Sequence, residues 1–178
     1  CDWSSDVCSS DLAGIKTGLN IRIDNPAQLG SDLVVDSVAA IAEYPAPLLI
    51  FDLGTANTVC VIDKNKNYIG GMIYPGIGVS LDSLTAHASQ LGGISIEAPE
   101  HMIGKNTTEC MKSGLIYSSA AAMDGIIDRL QEQLGGEATV IATGGLAKKI
   151  VPHCRREIIL DDDLLLKGLA IIYKKNRK

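Results

Sequence analysis

Leu48-Leu49-Ile50-Phe51-Asp52-Leu53-Gly54-Thr55-Ala56-Asn57-Thr58 decides how this chain is read. An apolar run closes on an aspartate, then a glycine and a threonine. A second β-prone run follows, Val59-Cys60-Val61-Ile62-Asp63. Short apolar segments bounded by turn residues read as buried strands. The turn between them is small and polar. Gly54 lets backbone N–H groups approach a ligand closely. Thr55, Asn57 and Thr58 offer hydroxyl and amide groups, and Asp52 can hold a cation. Two readings stay open: a hairpin tip that binds phosphate and a cation, or an ordinary polar turn.

Working outward, strands are predicted at 48–53, 58–63 and 67–74. The turn Asp63-Lys64-Asn65-Lys66-Asn67 joins the last two into an antiparallel meander. Upstream, residues 13–30 read as loop, with Pro26 opening a first helical turn. A helix over 31–44 follows, with Ser31 or Asp32 as its N-cap, and Pro45 and Pro47 stop it. Downstream of Pro75-Gly76 come a helix at 78–91, then loop and a short strand over 92–106. Thr107 is expected to N-cap a long helix at 108–134, supported by Glu109. The small-residue stretch 114–123 of that helix is expected to pack against another helix. A strand at 139–143 runs into Gly144-Gly145; a short helix at 146–151, a strand near 157–159 and a helix at 162–175 close the chain. Strands and helices mixed in this way predict an α/β layer architecture.

The 178 residues suffice for one domain, or one domain and part of another. Apolar content of 46% supports a core, and with aromatics at 4% that core must be aliphatic. A net charge of −5 argues against a nucleic-acid partner. No apolar run reaches the roughly 18 residues of a membrane span. The five cysteines have neither metal-ligand spacing nor an even disulfide framework. Cys60, Cys110 and Cys154 read as small buried hydrophobes in a reducing cytoplasm. Residues 1–12 stand apart: they hold the single Trp, two Cys and four Ser. They resemble a translated sequencing adapter and are expected to be a non-native leader. Without Asp2, Asp6 and Asp11 the net charge moves from −5 to −2.

Four polar or glycine-rich clusters fall at element ends: Gly30-Ser31-Asp32-Leu33, the 52–58 turn, Gly104-Lys105-Asn106-Thr107 and Ala142-Thr143-Gly144-Gly145. Helix N-termini attract anions through unsatisfied N–H groups and the dipole. Each cluster alone also reads as a structural cap or turn. Asp32 is either an N-terminal helix acid or a general base, the latter requiring a substrate hydroxyl within hydrogen-bond reach. Asp161-Asp162-Asp163 reads as helix-start acids rather than a metal cluster. His87, His101 and His153 share no useful spacing.

Taken in order, these residues resemble type III pantothenate kinase: Pro47 to Asp52-Leu-Gly-Thr55, Tyr68-Ile-Gly-Gly71 with Pro75-Gly76, Ile103-Gly-Lys-Asn-Thr107, Asp124-Gly125 and Ala142-Thr-Gly-Gly145. Gly18-Leu19, Asp24-Asn25-Pro26 and Gly30-Ser31-Asp32 also fit, so the likeness covers about residues 13–175. The resemblance implies an actin-like, ribonuclease-H-related fold and a homodimer. It implies phosphorylation of the terminal hydroxyl of pantothenate by ATP, opening coenzyme A biosynthesis, with Mg²⁺ and a monovalent cation, potassium or ammonium. By position, Asp32 matches the proton acceptor, and Gly30, Ser31, Asp32 and Leu33 the substrate segment. Thr107 matches a pantothenate contact, Asp52 the monovalent-cation ligand, Gly54 and Thr55 the ATP turn, and Gly144 and Gly145 the nucleotide turn. Phosphoryl transfer needs mostly positioning and charge neutralisation, which such groups supply.

The chain departs from the family pattern in places. The substrate segment usually reads Gly-Ala-Asp-Arg, and here Leu33 stands where an Arg could pair with the pantothenate carboxylate. Ile23 stands where an aromatic often lines the pocket. No Asp-x-Gly-Asn-Thr phosphate turn precedes Ala13. The expectation is therefore a truncated chain, inactive by itself, with residues 13–46 as the remainder of an N-terminal domain and 47–178 as a C-terminal actin-like domain. An acetate or sugar kinase of the same superfamily, or a non-catalytic binding relative, are the competing readings.

Overall fold

The computed structural model describes residues 15–177, and the leader expected at 1–12 lies outside them. One six-stranded sheet forms the centre, in the order β1-β4-β3-β2-β5-β6. β2 (Leu48–Leu53), β3 (Ala56–Ile62) and β4 (Asn67–Pro75) make the antiparallel meander. β5 (Thr139–Thr143) adds to the other side of β2 in parallel, and β6 (Ile159–Leu160) adds to β5. β1 (Asn20–Ile21) pairs in parallel with β4 at the far edge. A meander extended by two parallel strands beside its first strand is the ribonuclease-H-like sheet on which actin-like domains are built.

β2 lies at the centre of this sheet and is covered on both faces, so it reads as a continuous apolar run instead of alternating. Leu49, Phe51 and Leu53 belong to a core shared with α2 (Ile77–His87), α3 (Thr107–Leu134) and α4 (Ala147–Ile150). Leu48 and Ile50 belong to a second core, with α1 (Ser31–Glu43) and α5 (Leu164–Asn176). From residues 15–46, β1 pairs with β4 at the edge of this sheet and α1 packs on its face. α1 and α5 cross closely: a side chain at Gly168 would run into the Val35 carbonyl.

Several local expectations change. Gly30, with extended backbone, caps α1, and Ser31 is already helical. Asn106, not Thr107, caps α3: its side chain accepts the Glu109 N–H at 2.9 Å, and Glu109 accepts the Lys105 N–H at 2.9 Å. α2 ends at His87, and residues 88–106 form no strand. Cys110 is exposed in the first turn of α3, while Cys60 is buried. In the 114–123 stretch, Gly114, Ser118, Ala121 and Ala122 face outward among the described residues. The large side chains of α3, Met111, Leu115, Ile116, Met123 and Ile127, take the core-facing stripe instead.

Asp161 is drawn into a structural ion pair. Its carboxylate receives the Tyr44 hydroxyl at 2.8 Å and Lys167 Nζ at 2.7 Å, and Lys167 also meets Glu43 at 2.8 Å. Burial pushes this carboxyl up, but Lys167 and Tyr44 outweigh it and hold it below its ordinary value. Asp124, from the Asp124-Gly125 pair, accepts the backbone N–H groups of Arg155 and Arg156 at 2.9–3.0 Å, tying α3 to the chain after β5. Among the described residues no helix is long and apolar enough to cross a membrane.

Candidate functional site

The site follows from strand alternation and one short connection. Side chains two apart in a strand share a face. Asp52 therefore shares the face of Leu48 and Ile50, the one covered by α1. Its direct neighbours in the sheet are Thr58 on β3 and Thr143 on β5. α1 returns to β2 through residues 44–47, so it runs antiparallel to that strand. Its 13 residues span roughly 20 Å at 1.5 Å each, matching the roughly 20 Å of the six-residue β2. The first turn of α1 therefore meets the last residues of β2. In this way residues twenty positions apart, Asp32 and Asp52, come to face each other.

Their mutual influence is electrostatic. Burial raises the Asp52 carboxyl above its ordinary value, and the charge of Asp32 raises it further. Asp32 lies in the first turn of α1 and accepts the Leu33 N–H at 2.9 Å. A third carboxyl lies one turn further along α1. Asp36 is 2% exposed, and its Oδ1 has no hydrogen-bond partner among the described residues. Burial, followed by the charges of Asp52, Asp32 and Asp161, pushes its carboxyl up to about 8. Asp36 was missed in the sequence. Its signal was a carboxylate set among Val34, Val35, Val38 and Ala39, four residues from Asp32 on the same helix face.

The motifs around the tip hold it in shape. Gly144 has φ +92° and packs against the end of β2: a side chain there would meet the Asp52 carboxylate and come within 2.6 Å of the Leu53 nitrogen. The chain after it is tied down by the Leu146 N–H to Leu53 carbonyl bond at 3.1 Å. Gly76 donates its N–H to the Thr55 carbonyl at 3.0 Å and lies so near Gly54 that no side chain fits. The Gly144→Ala variant is expected to lose about 2–4 kcal/mol of stability, from an unfavourable φ plus overpacking. Urea denaturation of the two proteins checks this; an unchanged midpoint contradicts it.

A cavity of about 620 Å³ joins the two motifs that the sequence singled out. Gly30, Asp32 and Leu33 line one part of it, and Ala56 and Thr58 from the tip line another, with Ile23, Tyr68, Gly70 and Gly71 between. Thr58 Oγ1 is buried without a hydrogen-bond partner among the described residues. Thr55 and Gly145 are exposed at the same end of the sheet and do not line the cavity. Thr107 and Lys105 are exposed at the start of α3 and do not line it either. Open α/β sheets bind ligands at the carboxyl ends of their strands, where Asp52, Thr143 and Gly144 lie.

Comparison with known proteins gives the family. A sequence profile described as type III pantothenate kinase matches residues 3–129. The chain belongs to the type III pantothenate kinase family. It is 47% identical over 165 residues to the type III pantothenate kinase of Exiguobacterium sp. AT1b, covering 93% of this chain and 65% of that relative. To the enzyme of Halalkalibacterium halodurans it is 47% identical over 163 residues, covering 92% of this chain and 64% of the relative. The chain thus spans just under two thirds of the length of these family members. Among solved structures it is similar to a conserved Baf-family protein from Campylobacter jejuni, with a TM-score of 0.58 and 22% identity over 90% of this chain and 70% of that one. At that identity the likeness speaks for the fold alone.

Proposed function

We propose that this chain carries the acceptor site and part of the nucleotide site of an ATP-dependent kinase. The acceptor is pantothenate, phosphorylated at its terminal hydroxyl, the first step of coenzyme A biosynthesis. One observation carries this reading: a single cavity is lined by the first turn of α1, with Asp32, and by Ala56 and Thr58, which directly follow the Gly54-Thr55 turn. A carboxylate beside a concave wall and a phosphate-type turn are the two ends that hydroxyl phosphorylation requires.

Within this reading each residue has a task. Asp32 accepts the proton of the attacking hydroxyl, held within hydrogen-bond reach by the cavity. Gly30 and Leu33 shape the acceptor wall, with Ser31 buried behind them; Thr107, exposed at the start of α3 and outside this cavity, is assigned to pantothenate by its match to the family motif alone. The backbone of Gly54, Thr55, Gly144 and Gly145 receives the nucleotide, where the lack of side chains at the glycines allows close approach. ATP, pantothenate and a second copy of the chain are the partners.

The residues present fit an oxygen-bound monovalent cation, potassium or ammonium. Asp52 and Thr58 are a directly opposed cross-strand pair, and Thr58 Oγ1 is buried and unpartnered. Asp52 and Thr58 would hold such a cation, which would supply positive charge to offset the phosphates of the nucleotide. Among the described residues no group of three His, Cys, Asp or Glu is arranged to hold a metal. Mg²⁺ would enter with ATP, since it commonly keeps several waters and binds through substrate phosphates with few protein ligands.

A substrate panel tests the assignment, using the chain expressed together with the coding sequence upstream of it. ADP formation should depend on pantothenate and not on acetate or hexoses. Turnover of a sugar without turnover of pantothenate would contradict it.

A further inference from the structure

Tyr68, Gly70 and Gly71 line the same cavity as Asp32, and the local backbone explains their motif. The β3–β4 ladder slips by one residue between Val61 and Ile62: Val61 faces Gly70, Ile62 faces Tyr68, and Ile69 is the extra residue of a β-bulge. Such a bulge re-aims the side chains beside it. Gly70 has φ +133°, a backbone that suits glycine, and a side chain at Gly71 would collide with the Val59 carbonyl. Tyr68, Cys60 and Ile62 pack together in the core shared with α1.

Three polar groups are buried there. Cys60 is 2% exposed, Tyr68 3%, and Ser37 on α1 is fully buried. The Cys60 thiol hydrogen-bonds to the hydroxyls of Tyr68 and Ser37, and burial pushes it up to about 12, so it keeps its proton. Ser37 Oγ donates its single proton to the Leu33 carbonyl at 2.6 Å. The thiol proton therefore goes to Ser37 Oγ, and the Tyr68 O–H donates to the sulfur. Aligned in this way, the three groups run from the cavity wall to the residue that follows Asp32, and each bond polarises the next. The charge of Asp32 adds to burial in raising both the Cys60 and the Tyr68 groups, so its carboxylate stands near this relay.

We infer that Tyr68 and Cys60 are positioning residues of the acceptor site: with Ser37 they fix the first turn of α1, and so the direction in which Asp32 meets the acceptor hydroxyl. The inference rests on the reading of the cavity as the acceptor site. A misplacement of about 1 Å costs roughly a hundredfold in rate, so groups that touch no reacting atom still govern turnover.

Steady-state kinetics on a double-mutant cycle test this, using the chain expressed with its upstream coding sequence. Tyr68→Phe keeps the ring and removes only the hydroxyl. It is expected to lower kcat about tenfold, part of the cost of a misplaced base, with KM for ATP within about twofold of the parent. Cys60→Ala should cost about as much, and the double variant should be little slower than either, because all three break one relay. Cys60→Ser keeps a donor and an acceptor and should recover most of the loss. Tyr68→Phe as fast as the parent, losses that multiply in the double variant, or Cys60→Ser as slow as Cys60→Ala each overturn the inference and leave the acceptor-site reading standing. If Cys60→Ala does not fold, Tyr68→Phe decides alone. A parent protein that does not turn over pantothenate overturns the acceptor-site reading, and the inference with it.

Discussion

Asp36→Asn is expected to make the protein more stable at pH 8 by several kcal/mol and to flatten its stability between pH 4 and pH 8. The native carboxyl sits at about 8 because it is buried beside Asp52, Asp32 and Asp161. In the unfolded chain it titrates near the ordinary 3.8. Between those values the folded state holds a proton that the unfolded state has lost, so stability falls as pH rises. The stabilisation is complete below about pH 4 and gone above about pH 8. A four-unit difference corresponds to about 5 kcal/mol as an upper figure, a large share of the 5–15 kcal/mol typical of a whole domain. Asparagine keeps the shape of the protonated acid and cannot ionise. Urea denaturation of both proteins at pH 5 and pH 8 measures the effect. Equal pH slopes in the two proteins would show that Asp36 does not titrate in this range.

Asp32→Asn is expected to lower kcat by about 10²–10⁴, the usual contribution of a positioned general base, with a small change in KM for pantothenate. Asparagine preserves the size of the side chain and its place in the first turn of α1, so binding survives while proton acceptance is lost. Steady-state kinetics on the chain expressed with its upstream coding sequence separate the two parameters. Unchanged turnover removes Asp32 from the chemistry. Turnover absent from both proteins would favour a role in binding alone.

The sheet was legible because its central strand leaves little choice. Leu48 to Phe51 is apolar without alternation, as a strand covered on both faces must be, and the Asp63–Asn67 turn dictates the hairpin beside it. The ends of helices were less legible. Gly30 and Asn106 displaced the neighbouring Ser31, Asp32 and Thr107 as caps, because a cap is decided by backbone geometry that residue types only bias. The region 88–106 carries apolar residues in no consistent period, and a strand was expected where the chain forms none.

For the site, the motifs named the right segments but not their meeting. Asp32 and Asp52 approach because α1 runs back along β2 at matching length, a tertiary fact absent from either motif. The burial of Asp36 was hidden for the same reason: which face of α1 lies on the sheet depends on what covers the other, and α5 is supplied by the far end of the chain. Thr107 lies at a helix start outside the Asp32 cavity, a separation that its motif could not reveal.

The position of bound pantothenate relative to Asp32 tests the account most directly. In a crystal structure of the chain expressed with its upstream coding sequence, bound to pantothenate and a non-hydrolysable ATP analogue, the terminal hydroxyl should lie about 2.6–3.2 Å from the Asp32 carboxylate, with the phosphates against Gly54, Thr55 and Gly144. Pantothenate seated outside this cavity, or seated within it with its hydroxyl turned away from Asp32, would contradict the account.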